Sequence, residues 1–90
     1  MESLESRYDS RKSFYGKAKY EESRGITTLY SYGTKIVSVK GNKIKKLWDG
    51  YSMTTQRHIV EFLLQKGYRI DNKKYNSIPC DEWIDITKIC

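Results

Sequence analysis

Only one segment of this chain, residues 55–66, has the strong hydrophobic spacing of an amphipathic helix. Ile59, Phe62 and Leu63 follow the i, i+3, i+4 pattern, which places them on one side of a helix. Thr54 or Thr55 is suited to cap the first turn, and Gly67 is suited to end the helix. Because a helix cannot bury such a stripe alone, the rest of the chain must supply an apolar surface for it.

The residues before this helix repeat with a period of two, which is typical of β-strands. Strands are predicted at Ser13–Glu21 and at Ile26–Tyr32, which is rich in β-branched and aromatic residues. The clearest prediction is a hairpin in which Lys35–Val39 and Lys43–Trp48 flank Gly41-Asn42, a pair suited to positive φ angles in a tight turn. The expected fold therefore contains an antiparallel sheet.

The register of this hairpin separates its two sides. One side is fairly apolar, with Val39 opposite Ile44, Val37 opposite Lys46 and Lys35 opposite Trp48. The other side carries the following residues: Ile36, Ser38, Lys40, Lys43, Lys45 and Leu47. The apolar side is expected to pack under the helix.

The pattern after the helix is weaker. Tyr68–Ile70 is predicted to be a short return strand, Asp71–Ser77 a loop, and Trp83–Ile89 a strand on its alternation. The fold class is therefore α+β, a small antiparallel β-sheet of three to five strands with one α-helix packed across it. Ninety residues correspond to a single domain, and residues 1–12 are expected to form a flexible N-terminal arm.

All of the net charge comes from one stretch. The chain has 17 basic and 11 acidic residues, and Ser23–Trp48 holds six basic residues and no acidic one, which leaves 11 of each elsewhere. The lysines of this stretch are the first candidate binding residues: Lys35, Lys40, Lys43, Lys45 and Lys46. Lysines also protect edge strands against aggregation, and that interpretation stays open. As a binding surface, they suit phosphates or an acidic protein.

A second candidate binding segment lies near the N-terminus, where cations alternate with aromatic side chains. Arg11, Lys12 and Tyr15 are its candidate binding residues. Acidic residues nearly neutralise this segment, a balance that favours a protein partner over bare nucleic acid.

Nothing in the sequence predicts an enzyme, a metal site or a cofactor. His58 is the only histidine, and it is expected to flank the helix stripe and hydrogen-bond to the sheet or a loop. Cys80 and Cys90 are expected to be unbonded thiols, since a tetrahedral zinc site needs four ligands. Asp81, Glu82 and Asp85 are expected to form a solvated edge or a counterweight to the lysine hairpin. No apolar run is long enough to span a membrane, and the cytoplasm is the expected compartment.

Three stretches, taken together, resemble a known group of proteins: YDSRKSFYGKA at residues 8–18, SYGTKIV at 31–37 and SMTTQRHIVEFL at 52–63. Their order and spacing are similar to those of small, mostly uncharacterised proteins from phages and other mobile elements of Gram-positive bacteria. Similar sequences occur in or beside anti-CRISPR proteins that inhibit type II RNA-guided nucleases.

The resemblance implies a stoichiometric inhibitor whose partner is a type II CRISPR effector nuclease, either alone or as its guide-RNA complex. The resemblance does not identify any functional residue. The apolar helix stripe that is shared has the spacing of residues buried in a hydrophobic core. The alternative is a non-specific nucleic-acid-binding accessory protein of a phage or mobile element that uses the lysine hairpin.

Overall fold

The computed structural model describes residues 2–4, 17–50 and 52–90. Within these residues, one antiparallel sheet has six strands in the order β1-β2-β3-β4-β5-β6, so that each strand pairs with the next in sequence. The strands are β1 Glu2–Ser3, β2 Ala18–Ser23, β3 Ile26–Ser31, β4 Thr34–Lys40, β5 Lys43–Lys46 and β6 Trp83–Asp85. The two α-helices are α1 Met53–Gln65 and α2 Asn72–Ser77, and a 3₁₀ helix spans Ile86–Ile89. The predicted α+β class is confirmed.

The hairpin of β4 and β5 has the predicted register. Val39 pairs with Ile44, and Lys40 pairs with Lys43 across the two-residue loop. Gly41 has a φ of 58°, whereas Asn42 has no positive φ, as in a type II′ turn with glycine in the first central position. The turn residues therefore fix which side chains of β4 and β5 share a face.

An irregularity in β4 corrects one detail of the hairpin. The register shifts between Leu29 and Tyr30, so that Tyr30 pairs with Lys35 while Leu29 pairs with Val37. Ile36 is the extra residue of this bulge, and it joins the same core cluster as Val37. The sequence predicted that Ile36 and Val37 lie on different sides of the hairpin. This prediction was wrong because simple alternation does not continue through a bulge.

Helix α1 covers one face of the sheet and runs along β3. Thr55 and His58 contact Ser31 at one end of β3, and Lys66 contacts Thr27 at the other. From His58 to Lys66 the helix rises by ~12 Å, and from Ser31 to Thr27 the strand rises by ~14 Å. The two distances are similar, so α1 can contact β3 at both of these points. Ile59, Phe62 and Leu63, the predicted stripe, are all buried in the core.

The ends of α1 differ partly from the prediction. Ser52, not Thr54 or Thr55, is the N-cap, and its side chain accepts a hydrogen bond from the Thr55 amide at 3.4 Å. Thr55 instead turns its hydroxyl toward Ser31 on the sheet, at 3.0 Å. Gly67 follows the helix with a φ of 92°, as predicted.

The C-terminal part contains most of the corrections. Tyr68–Ile70 is not a strand, and the predicted loop Asp71–Ser77 contains α2. Asp71 caps α2 by accepting hydrogen bonds from the Lys73 and Lys74 amides, and only Tyr75 of this helix is buried. A six-residue helix with one buried residue has no hydrophobic period, so the sequence pattern did not indicate it.

The predicted strand Trp83–Ile89 is divided in the structure. β6 ends at Asp85, whose carboxylate accepts hydrogen bonds from the Thr87 amide and hydroxyl and so starts the 3₁₀ helix. Ile86 and Ile89 are then buried in the same core cluster as the strands. With β6 and β1, the sheet has six strands instead of three to five, and α2 adds a second α-helix.

The N-terminal residues that are described belong to the sheet. Glu2 pairs with Tyr20, Ser3 pairs with Lys19, and the Leu4 side chain is buried in the core. The remaining residues of the predicted arm, and the part of the first predicted strand before Lys17, lie outside the described residues. None of the described helices is long and apolar enough to cross a membrane.

Candidate binding face

The strand register brings five lysines to the sheet face opposite α1. Lys19, Tyr30 and Lys35 form one cross-strand row. Thr28, Ser38, Lys45 and Trp83 form the next row, and Ile26, Lys40, Lys43 and Asp85 form the third. We call this surface the lysine face and define it by these residues: Lys19, Tyr30, Lys35, Lys40, Lys43, Lys45 and Trp83. Both helices pack on the other face of the sheet, and no described element covers the lysine face.

The positive charge is densest where β4 turns into β5. Lys40 and Lys43 stand directly opposite each other, and Lys45 follows two residues later on the same face. Like charges directly opposite each other in a sheet are destabilising. Among the described residues, Lys35, Lys40 and Lys45 have no carboxylate within salt-bridge distance. The hairpin therefore presents cations that the described part of the protein does not neutralise.

Two carboxylates on this face are engaged by their own neighbours. The Tyr30 hydroxyl donates a hydrogen bond to Glu21 at 2.7 Å, and this bond raises the pKa of Tyr30. The amide and hydroxyl of Thr87 hydrogen-bond to Asp85 and hold its pKa below its ordinary value. Asp85 also lies 4.0 Å from Lys43, as a partly exposed ion pair. Of the acidic residues expected to balance the charge of the hairpin, Asp85 thus pairs with one lysine. Their attraction is weak because an exposed ion pair is screened by water.

Trp83 gives the lysine face an exposed aromatic ring. It lies on β6, the edge strand, directly opposite Lys45. The Lys45 ammonium is 4.9 Å from the centre of the indole ring, and 38% of the tryptophan is exposed. A cation beside an aromatic face is a favourable arrangement that leaves the rest of the ring open to a partner.

The predicted binding residues divide into three groups. Lys40, Lys43 and Lys45 lie together on the lysine face, as the hairpin register predicts. Lys35 also lies on this face, which corrects the predicted register: simple alternation placed it on the side of Val37, and the bulge in β4 moves it opposite Tyr30. Lys46 is on the opposite face and 5% exposed. The other predicted residues, Arg11, Lys12 and Tyr15, lie outside the described residues.

Lys46 is occupied by the C-terminal part of the protein. Its ammonium donates to the carbonyls of Asn76 and Ile78 at 3.2 and 3.5 Å. It also lies 5.4 Å from the ring centre of Tyr75, whose hydroxyl is buried with no hydrogen-bond partner among the described residues. This burial raises the pKa of Tyr75. Lys46 thus holds α2 against the sheet and is not exposed with the other lysines.

Sequence reasoning missed Lys19, Tyr30 and Trp83 as members of this face. The alternation within β2 and β3 gives the side on which Lys19 and Tyr30 lie. It does not show that these strands continue the hairpin's face, which depends on the order of strands in the sheet. Trp83 reaches the face because β6 returns from a distant part of the chain to pair with β5.

The opposite face contains a buried polar cluster. The Ser31 hydroxyl is 2.8 Å from Nδ1 of His58 and 3.0 Å from the Thr55 hydroxyl. His58 is fully buried between α1 and β3, so the predicted hydrogen bond to the sheet is confirmed. Its burial is deeper than the flanking position expected from the sequence. A ring without access to solvent is poorly placed to exchange protons with a substrate.

The remaining reactive groups form no assembled site in the described part of the chain. Cys80 and Cys90 are free thiols, as expected, and the Cys90 thiol donates to the Ile86 carbonyl at 3.3 Å. The described residues contain no group of three or more histidine, cysteine, aspartate or glutamate side chains placed to hold a metal ion. The lysine face is therefore the feature of the described surface with the clearest chemical character.

Comparison with known proteins gives a family without an assigned activity. No curated protein and no solved structure matches this chain. A model of a family of unknown function, DUF8033, matches residues 2–79. The match spans β1 to β5 and both α-helices and ends before β6. The chain therefore belongs to DUF8033, a family of unknown function.

Proposed function

We propose that this protein is a non-catalytic inhibitor that binds a type II RNA-guided CRISPR nuclease through its lysine face. The observation that carries the binding surface is the group of lysines at the β4–β5 turn, where Lys40 faces Lys43 and Lys45 follows. The target comes from the sequence resemblance to proteins of phages and mobile elements. Such an inhibitor acts in the cytoplasm of the bacterial host cell.

Binding alone is sufficient to block such a nuclease. The enzyme must recognise a short motif, open the duplex and dock its cleavage domain before it cuts. A small basic protein stops this sequence by covering an acidic surface of the nuclease or the phosphates of its guide RNA. Lys40 and Lys45, which no carboxylate of the described residues neutralises, supply long-range attraction, which raises the association rate more than it raises the final affinity.

The test is a DNA-cleavage assay with a panel of type II nuclease–guide complexes, titrated with this protein in the presence of excess competitor DNA. We expect one or two members of the panel to be inhibited near an equimolar ratio. Absence of inhibition across the panel would contradict the proposed target.

A matched pair of double variants tests the proposed surface in the same assay. Lys40→Glu with Lys45→Glu reverses charge on the lysine face and should slow association steeply at low salt. Arg69→Glu with Lys73→Glu makes the same change in net charge at exposed positions outside the lysine face, and should inhibit like the wild type. Equal inhibition by both double variants would exclude the lysine face. Lys46 is left unchanged because it supports α2.

The second candidate function is non-specific nucleic-acid binding, and the same cluster of lysines favours it. Lysine ammonium groups suit phosphates, whereas base-specific contacts favour arginine, asparagine and glutamine. Any such binding should fall steeply as salt is raised. Heparin or bulk DNA should abolish an effect of this kind, whereas it should leave inhibition of a particular nuclease in place.

A further inference from the structure

The contact with Lys45 accounts for only part of the Trp83 surface at the edge of the lysine face. Edge strands are usually protected by charge, and an exposed indole ring on an edge strand increases the risk of aggregation. Trp83 is nevertheless 38% exposed on β6, with its backbone paired to Lys45 of β5. The lysines of this sheet are consistent with edge protection, but the tryptophan beside them is not.

The spacing of the cations suits a chain of phosphates. Lys43 and Lys45 are two residues apart on one strand, which separates their Cα atoms by about 7 Å. Lys40 lies across the turn from Lys43, at about 5 Å. An anion held between Lys40 and Lys43 would relieve the repulsion between them. The line from Lys40 through Lys43 and Lys45 leads to the ring of Trp83.

Proteins that bind single strands combine these two features: a positive groove that follows the backbone, and aromatic rings on which unpaired bases stack. A duplex offers phosphates but keeps its bases stacked on one another, so an exposed ring gains little from it. An acidic protein surface would use the lysines and leave the indole without a planar partner. The combination therefore favours a single strand over both.

We infer that the lysine face binds single-stranded nucleic acid, with phosphates on Lys40, Lys43 and Lys45 and one base stacked on Trp83. This inference rests on the proposed use of the lysine face for binding, and it identifies the chemistry of the partner. In a nuclease–guide complex, an exposed stretch of RNA or a displaced DNA strand has this chemistry. Trp83 lies beyond residues 2–79, which match the family, so this anchor is not part of the matched region.

The test uses tryptophan fluorescence. The protein has two tryptophans, and the substitution Trp48→Phe leaves Trp83 as the only source of that signal. The protein is titrated with a thymidine oligonucleotide, a uridine oligonucleotide and a duplex of the same strand length. We expect quenching by the single strands and clearly weaker binding of the duplex. The two single-stranded probes show whether the site prefers DNA or RNA.

Substitution of the ring measures its contribution in a second readout, fluorescence anisotropy of a labelled oligonucleotide. Trp83→Ala should weaken single-strand binding by roughly 5- to 100-fold, and Trp83→Phe should restore much of it. Three lysine contacts predict that log affinity falls with log salt with a slope of about −2 for a single strand. Circular dichroism of both variants checks that they fold.

The outcomes separate this inference from the function on which it rests. Equal affinity of the folded Trp83→Ala variant and the wild type, or equal affinity for single strand and duplex, would overturn the inference. If Lys40→Glu with Lys45→Glu weakened nuclease inhibition in that case, the proposed function would stand. If oligonucleotides failed to bind and the charge reversal left inhibition intact, both would be wrong.

Discussion

The two faces of this sheet use the same types of residue for different purposes. Lys45 and Lys46 are adjacent on β5, but Lys45 lies beside Trp83 on the lysine face and Lys46 is buried beneath α2. Ser31 and Ser38 are both buried, but their partners differ: Ser31 bonds to His58 of the helix, and Ser38 bonds to Thr28 of the neighbouring strand. The position of a residue in the pleat, more than its type, decides whether it supports the fold or is available to a partner.

This difference gives the account its central claim. The covered face holds the domain together through α1, α2 and the strands, and we propose that the lysine face binds a partner. Substitutions on the covered face should lower stability, and those on the lysine face should lower affinity with little loss of stability.

The largest expected effect is on stability, from Leu29→Ala on the covered face. Leu29 is fully buried at the centre of β3, so the substitution leaves a cavity and should lower the free energy of unfolding by about 3 kcal/mol. Thr28→Ala, one residue away on the opposite face, loses its bond to Ser38 and should cost about 1 kcal/mol. Urea denaturation of both variants makes the comparison, and equal losses would show that the two faces do not differ in this way.

An intermediate effect is expected for Lys46→Met, with Lys45→Met as its matched control. Lys46→Met removes the donor to the Asn76 and Ile78 carbonyls and should cost about 1–2 kcal/mol, with faster amide exchange in α2. Lys45→Met should cost less than about 1 kcal/mol, because only an exposed contact with Trp83 is lost. Native-state hydrogen exchange and oligonucleotide binding measure the two properties. Weaker binding by Lys46→Met, with Lys45→Met unaffected, would reverse the assignment of the faces.

The smallest expected effect is a change in the titration of Tyr30 on the lysine face. Its hydrogen bond to Glu21 raises the pKa of Tyr30 above its ordinary value of 10.0. Because the folded-state pKa is raised, the bond contributes fully below pH 10 and is lost as pH rises through the folded-state value. An NMR titration of the Tyr30 ring should show a midpoint above 10.0 that moves back toward it in Glu21→Gln. An unchanged midpoint in that variant would remove Glu21 as the cause.

The sequence predicted the parts of the fold that have a clear period. The α1 stripe and the β4–β5 hairpin follow from residue spacing and from Gly41, and both are confirmed. The hairpin register also placed Lys40, Lys43 and Lys45 on one side before the sheet order was known. These features depend on neighbouring residues, which a sequence shows directly.

The parts that were not predicted depend on contacts between distant residues. Helix α2 is fixed by the Asp71 cap and by the contact of Tyr75 with Lys46, not by a repeating pattern. Strand β6 is short, and its pairing with β5 joins residues that lie far apart in the chain. Lys46, a predicted binding residue, is therefore buried, and Trp83, for which the sequence predicted no binding role, completes the lysine face.

The most direct test of the central claim is an amide chemical-shift map of the protein titrated with a thymidine oligonucleotide. The account predicts that the largest changes occur at Lys40, Lys43, Lys45 and Trp83, including the indole N–H, and that the residues of α1 change little. Changes centred on α1, or none on the lysine face when binding is complete, would contradict it.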